Sequence, residues 1–134
     1  MRLWHKSLIP VLPRQQLLGQ WRECCLIAKQ ISKNGTPNHI LVDKIMDYPI
    51  THFIAYGRLV YNEMNRRGYF CVWWKFIRWF KDEEINHKFS TIFPDWHNDR
   101  YLRQCYYNLQ EKYDCGGASG YEWAMINDYF KLDD

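Results

Sequence analysis

Apolar side chains recur with helical spacing between Pro13 and Gly35. They stand at i, i+4, i+7, i+11 and i+14, at positions Leu17, Trp21, Cys24, Ala28 and Ile31. A period of about 3.6 residues predicts one amphipathic helix. Pro13 suits the first turn of this helix because its fixed φ matches the helical value, and Gly35 is a typical residue just past a helix end.

Two further stretches show the same periodicity. Residues 49–68 predict a second helix that ends at Gly68, with inward positions Phe53, Tyr56, Val60 and Met64. Residues 94–117 predict a third principal helix, which Asn98 or Asp99 would cap and Gly116 would end. Its inward positions are Leu102, Cys105, Tyr106, Leu109 and Tyr113. The three long helices would form the body of the fold.

The other segments are shorter or less regular. Residues 1–12 are predicted to be an extended arm, because Pro10 and Pro13 disfavour helix in the residues before them. Residues 69–89 contain a further helix that is apolar nearly all round, which favours a core position over a membrane-surface or nucleic-acid-binding element. Residues 118–134 are predicted to be a flexible hinge followed by an aromatic tail. The fold class is therefore all-α, with residues 1–134 in a single domain.

Composition adds a binding surface to this picture. Aromatic residues make up 18% of 134 residues, more than a core of this size usually holds, so some rings are expected at a surface, although the core could take most of them. Residues 1–88 carry 14 Lys and Arg against 7 Asp and Glu, whereas residues 89–134 carry 4 against 8. A basic surface of this kind suits a nucleic acid, although a solvated face without a partner would have the same composition.

Cysteine and histidine spacing provides no sign of a metal site. The five cysteines form no C-x-x-C pair, and the five histidines are scattered, so we expect no metal, no cofactor and structural roles for the histidines. The odd number of cysteines fits a reduced, cytoplasmic protein, and we expect it to be nucleoid-associated and a monomer. No apolar run approaches the ~20 residues of a membrane span, so we expect no membrane partner.

Glu23 is the only acidic residue among the first 42, in a segment rich in Lys and Arg. The positions three and four residues away hold no basic side chain, so Glu23 has no local helical ion-pair partner. The carboxylate either pairs over a longer range or takes part in a reaction. Gly19, one turn earlier, costs a helix ~0.5–1 kcal/mol relative to Ala, which indicates a close approach of a ligand or of another helix.

The stretch MRLWHKSLIPVLPRQQLLGQWREC, with an arginine after the first residue and Trp21-Arg22-Glu23 on a long helix, resembles the pyrimidine-dimer DNA glycosylases of the phage endonuclease V type, and most closely their cellular, bacterial branch. The resemblance implies a compact all-α enzyme that cuts the glycosidic bond at ultraviolet-induced pyrimidine dimers in double-stranded DNA. It also implies an abasic-site lyase step through an imine on the N-terminal amine.

Carried over to this chain, the resemblance makes Met1 the nucleophile and Glu23 the acid/base residue, with Arg2 and Arg22 on phosphates or the lesion. We expect Met1 to be retained, because Arg2 is bulky. An ordinary α-amine has a pKa of ~7.7–8.0, so part of it is neutral and nucleophilic at cellular pH.

The phage-type enzymes have a histidine where this chain has Gln16 and a further arginine where it has Leu26. Arg14 and Lys29 are the candidates to compensate on DNA. Two other classes remain open from the residues alone: a non-catalytic nucleic-acid-binding module, and a protein-interaction domain that uses the aromatic segment 69–80.

Overall fold

The computed structural model describes residues 1–87 and 91–132, and every regular element in these ranges is helical. Two short 3₁₀ helices span Lys6–Val11 and Asp43–Asp47. The α-helices are α1 (Arg14–Asn34), α2 (Ile50–Arg66), α3 (Trp74–Ile77), α4 (Asp82–Ile85), α5 (Asp99–Asp114) and α6 (Gly120–Leu132). The all-α prediction is confirmed for the described residues.

Helix α1 forms as its periodicity predicts. Leu17, Trp21, Cys24 and Ala28 are buried, and Ile31 packs against the core from a half-buried position. Gly35 ends the helix in the left-handed conformation at φ 79°, and its N–H donates to the Ile31 carbonyl at 2.8 Å. Glycine adopts this backbone without the steric cost that other residues meet.

Helices α2 and α5 complete the body of the fold. The four inward positions predicted for α2 are all buried, and Gly68 follows the helix at φ 80°. In α5 the predicted cap is Asn98, whose side chain accepts from the Tyr101 N–H at 2.9 Å. The helix therefore begins at Asp99, directly after one of the two residues predicted to cap it.

Gly57 lets α3 pack closely on α2. A Cβ atom at this position would lie 2.2 Å from Cζ of Phe76, which is shorter than any real carbon contact. The Phe76 ring is fully buried and also packs edge-on against Phe53, at 5.4 Å between ring centroids. The core interpretation of residues 69–89 is therefore right for Phe76, while the predicted single helix is wrong: α3 and α4 are separate single turns. Residues 88 and 89 of that prediction lie outside the described residues.

The N-terminal arm is extended only over residues 1–5, so the prediction for residues 6–11 is wrong. The His5 ring accepts from the Ser7 N–H at 3.2 Å and caps the 3₁₀ helix, and the φ of Pro10 is compatible with its last turn. Leu8 and Ile9 are buried on its inner face. Burial of these two side chains favours a tight turn that the proline rule alone does not predict.

The predicted hinge and tail form a capped helix, α6. Ser119 Oγ accepts from the Glu122 N–H at 3.1 Å, and the Ser119 N–H donates to Glu122 Oε1 at 2.9 Å. This reciprocal pair satisfies donors at the helix start. The ring of Phe130 stacks on Tyr106 of α5 at 4.3 Å between centroids, so the aromatic tail docks on the body of the fold. The last two residues of the predicted tail lie outside the described residues.

Within the described ranges, a search for a helix with both the length and the apolar character of a membrane span returned none.

Candidate active site

The extended N-terminal residues lie against α1, and the buried side chain of Gln20 holds them there. Gln20 Oε1 accepts from the Trp4 N–H at 2.7 Å, and Gln20 Nε2 donates to the Arg2 carbonyl at 2.9 Å. Two tyrosines bind neighbouring carbonyls: the Tyr56 hydroxyl donates to Trp4 and the Tyr101 hydroxyl to Leu3, each at 2.6 Å. Side chains of α1, α2 and α5 thus bond to backbone groups of residues 2–4 in this extended segment.

This arrangement brings the start of the chain to Glu23. The Arg2 N–H donates to Glu23 Oε2 at 3.4 Å, and Gln20 Nε2 lies at the same distance from that oxygen. The Met1 nitrogen belongs to the residue just before Arg2, so covalent geometry places it within about 7 Å of the carboxylate oxygen. Glu23 is half-buried, and so is Met1. The amine and the carboxylate therefore share one side of the molecule.

A cavity of about 330 Å³ opens beside this contact. It is lined by the N-terminal residues Met1, Arg2 and Trp4, by α1, by Leu41 and by two residues of α5. The lining residues of α1 are Gln15, Gln16, Gly19, Gln20 and Glu23, and those of α5 are Asn108 and Lys112. Its volume lies at the lower end of the ~300–1,000 Å³ range for ligand pockets.

Gly19 faces this cavity rather than another helix. A Cβ atom at Gly19 would have only the Arg22 Nη2 atom nearby, at 3.9 Å. In the described part of the chain no helix crosses at this point, so the packing explanation for the glycine does not apply. The absence of a side chain leaves the wall of the cavity next to Glu23 open to a ligand.

The six residues predicted from the sequence do not all meet. Met1, Arg2 and Glu23 line the cavity together, and Arg22 is exposed beside Gly19. Lys29 is exposed farther along α1. Arg14 lies elsewhere: its guanidinium is 5.6 Å from the Tyr69 ring centroid, and it lines a different cavity together with Glu122.

Arg2 contacts the protein with its side chain as well as its backbone. Its guanidinium carbon lies 5.4 Å from the ring centroid of Trp4, and its positive charge is close enough to Tyr101 and Cys105 to act against the rise of their pKa values. Burial raises the pKa of Tyr101 above its ordinary value, so this hydroxyl stays protonated and can donate to the Leu3 carbonyl. The Arg2 side chain thereby helps to anchor the first residues of the chain.

Two histidines, His5 and His97, pack together next to the same extended segment. His97 Nδ1 accepts from the Lys6 N–H at 2.9 Å, and the His97 ring stacks on His5 at 5.1 Å between centroids. Burial, together with the nearby positive charge of His5 and Lys6, lowers the pKa of His97 to about 2. Both rings are buried, and neither lines the cavity. Such packing is what a structural role for these two histidines would require.

Several residues of the site are absent from the sequence-based prediction. Gln20 stands three residues before Glu23, so helical spacing could have placed it on the same face. Asn108 and Lys112 come from α5, almost ninety residues away, and no local pattern connects them with Glu23. Among residues 1–87 and 91–132, no group of three His, Cys, Asp or Glu side chains is arranged to hold a metal ion.

Comparison with known proteins points to a single family. A family model described as pyrimidine dimer DNA glycosylase matches residues 1–71 of the chain. The match includes the N-terminal residues, α1 and α2, and with them all six residues predicted from the sequence. No curated protein and no solved structure matches the chain.

Proposed function

Because the chain belongs to the pyrimidine dimer DNA glycosylase family, whose members act on damaged DNA, we propose that it cuts the glycosidic bond at an ultraviolet-induced pyrimidine dimer in duplex DNA and then cleaves the strand as an abasic-site lyase. The Met1 α-amine is the nucleophile, and Glu23 is the acid/base residue. The enzyme belongs to the cellular, bacterial branch of the family and acts as a cytoplasmic, nucleoid-associated monomer without a cofactor.

One observation carries this proposal: the Arg2 N–H lies 3.4 Å from Glu23 Oε2, which puts the first residue of the chain and an acidic side chain on one cavity. A purely DNA-binding surface gains nothing from a carboxylate, since it repels phosphates. A reaction on deoxyribose does need one, because protons must be moved and positive charge on the sugar must be stabilised.

The reaction has two stages. In the first, the Met1 nitrogen attacks C1′ of the damaged nucleotide, and the bond between C1′ and the base breaks. The base nitrogen keeps the bonding electrons and takes up one amine proton, and the base stays joined to its dimer partner through the cyclobutane ring. Loss of the amine proton and opening of the sugar yield an imine between Met1 and C1′. In the second, a proton is taken from C2′ and the 3′ phosphate leaves by β-elimination. Glu23 is placed to exchange these protons.

The nucleotide must leave the base stack to reach this cavity. Arg22, exposed beside Gly19, and Lys112, which lines the cavity from α5, bind its flanking phosphates in this proposal. The Arg2 guanidinium packs on the Trp4 ring and its backbone bonds to Gln20 and Glu23, so its main contribution is to position Met1.

Borohydride trapping tests the proposal. The untagged chain is incubated with duplexes that carry a cyclobutane thymine dimer or an abasic site, the mixture is reduced, and the adduct is mapped by mass spectrometry. We expect an adduct on the Met1 nitrogen with both substrates. A chain extended by Gly before Met1 is the matched variant, since it moves the amine but keeps every side chain.

An adduct from the abasic duplex alone would leave a lyase without dimer glycosylase activity. Absence of an adduct with either duplex, from protein with a verified N-terminus, would favour a non-catalytic DNA-binding module.

A further inference from the structure

An exposed basic ridge runs along α1 between the cavity and the segment that contains α3. At 100° per residue, Arg22, Lys29 and Lys33 fall within about 40° of one another, and all three are exposed. Glu23 lies on the flank of the ridge that faces the cavity, and Cys25 lies on the opposite flank, towards α3. The ridge therefore begins at the edge of the candidate active site.

Helix α3 continues this basic surface. Lys75 and Arg78 are exposed, and α3 packs on α1. Burial raises the pKa of the Cys25 thiol to about 11, and the charges of Lys75 and Arg78 act against this rise, which places both cations near that flank of α1. The Trp79 ring joins the two elements, because Arg78 Cζ lies 4.5 Å and Lys33 Nζ 5.9 Å from its centroid.

An uncovered aromatic ring stands on the same surface. Trp74 is 63% exposed, and it shares a face with Arg78, which is four residues later. Phe70, just before α3, is 91% exposed. Large exposed rings beside cations are typical of an interaction surface, and the cations select a polyanion. The acids of α4 follow soon in the sequence, but α4 packs on α2 rather than on α1.

On these grounds, and resting on the proposed function, we propose that the DNA on one side of the lesion binds along this surface. The DNA on the other side of the lesion does not. The surface, here called the α1–α3 track, consists of Arg22, Lys29, Lys33, Trp74, Lys75 and Arg78. From Arg22 to Lys33 the helix rises about 17 Å. One DNA strand advances ~3.4 Å per nucleotide, so this part of the track spans about five phosphates.

The charge contribution can be measured without the reaction. A duplex with a tetrahydrofuran analogue of an abasic site has no aldehyde and cannot form an imine, so fluorescence anisotropy reports binding alone. Each lost phosphate contact lowers the slope of log K against log salt by ~0.9. We expect the Lys33→Gln/Arg78→Gln double variant to lose about two units of slope, whereas Arg103→Gln, an exposed position on α5 turned away from the cavity, keeps the slope of the parent chain.

The one-sided geometry has its own test. The analogue is placed four base pairs from one end of a long duplex. In one duplex this short flank lies on the 5′ side of the analogue, along the strand that carries it, and in the other duplex it lies on the 3′ side. We expect weaker binding for only one of these duplexes, and on that duplex the double variant should bind like the parent chain. Trp74→Ala should weaken binding to the long duplex with little change of slope, since the ring carries no charge.

An unchanged slope of log K against log salt in the double variant would contradict binding of DNA along the track. Equal effects of shortening either flank would contradict binding on one side of the lesion only. Unchanged affinity for DNA in both the Lys33→Gln/Arg78→Gln variant and the Trp74→Ala variant would instead point to an acidic protein as the partner of this surface. These outcomes are separable from failure of the proposed function, because imine trapping with a true abasic site is measured on the parent chain. Circular dichroism of each variant controls for folding.

Discussion

Gln20 and Glu23 stand one turn apart on α1, with Gln20 Nε2 3.4 Å from Glu23 Oε2, while the other end of the same carboxamide accepts from the Trp4 N–H. One buried side chain thus fixes both the carboxylate and the backbone that carries Met1. All of its hydrogen-bonding groups have partners, since Oε1 also lies 2.9 Å from the Tyr56 hydroxyl. The relative position of the Met1 backbone and the Glu23 carboxylate, the proposed nucleophile and base, therefore depends on Gln20.

Replacing Gln20 by leucine should destabilise the fold and reduce activity together. The change leaves the Trp4 N–H and the Arg2 carbonyl buried without partners, and each such group costs about 1–3 kcal/mol. We expect the free energy of unfolding to fall by about 2–6 kcal/mol in urea titrations. Gln110→Leu, at an exposed position of α5, should change it by no more than about 0.5 kcal/mol. Equal stability of the two variants would contradict the role assigned to Gln20.

Replacing Glu23 by glutamine should lower the reaction rate strongly and leave the fold intact. The amide oxygen can still accept from the Arg2 N–H, but the side chain can no longer exchange a proton. Loss of general acid/base catalysis lowers rates by about 10²–10⁴-fold, which single-turnover cleavage of an abasic duplex would detect. Glu83→Gln, an exposed acid of α4, removes the same charge away from the cavity and should retain full activity. Wild-type rates in the Glu23 variant would exclude this carboxylate from the mechanism.

The protein should lose stability as the pH falls below about 6.5. Burial lowers the pKa of His97 to about 2 in the fold, whereas the unfolded chain has the ordinary value of 6.5. Between these values the unfolded chain binds a proton that the folded chain does not, so acid favours unfolding. This group alone contributes a slope approaching about 1.4 kcal/mol per pH unit. Burial also lowers the pKa of His5, which acts in the same direction.

Urea unfolding between pH 6.5 and pH 5 measures this slope above the range in which most carboxyl groups titrate. His97→Asn is the matched variant, because its side-chain oxygen can accept from the Lys6 N–H without titrating. We expect it to be less stable at neutral pH and to show a smaller pH slope. The same slope in both proteins would show that His97 is not the group responsible.

Replacing Gly57 by alanine should destabilise the contact between α2 and α3. The new methyl group would overlap the Phe76 ring, which is fully buried and cannot move without displacing its neighbours. Overpacking of this kind costs about 1–3 kcal/mol, and the shift should appear in thermal unfolding. Gly19→Ala is the control for helix propensity, because its Cβ atom would meet nothing closer than 3.9 Å. This substitution should stabilise α1 slightly. A stable Gly57 variant would mean that α3 can move away from α2 at little cost.

Local sequence information was sufficient for the long helices. The 3.6-residue spacing of Leu17, Trp21 and Cys24 depends only on which face of α1 is buried, and Gly35 ends the helix through its own backbone freedom. For the same reason the caps at Asn98 and Gly116 were predictable. The lone carboxylate of Glu23 was also visible, because charge is a property of the residues themselves.

Only the tertiary structure decided what lies next to Glu23. The contact with the Arg2 N–H spans 21 residues, and Lys112 reaches the cavity from the far end of the chain. The 3₁₀ turn of Lys6–Val11 and the docking of α6 likewise depend on burial against distant residues, which overrides the local preference for an extended or irregular chain. Periodicity records which side of an element is buried, whereas the partner that buries it is set by the packing of the whole domain.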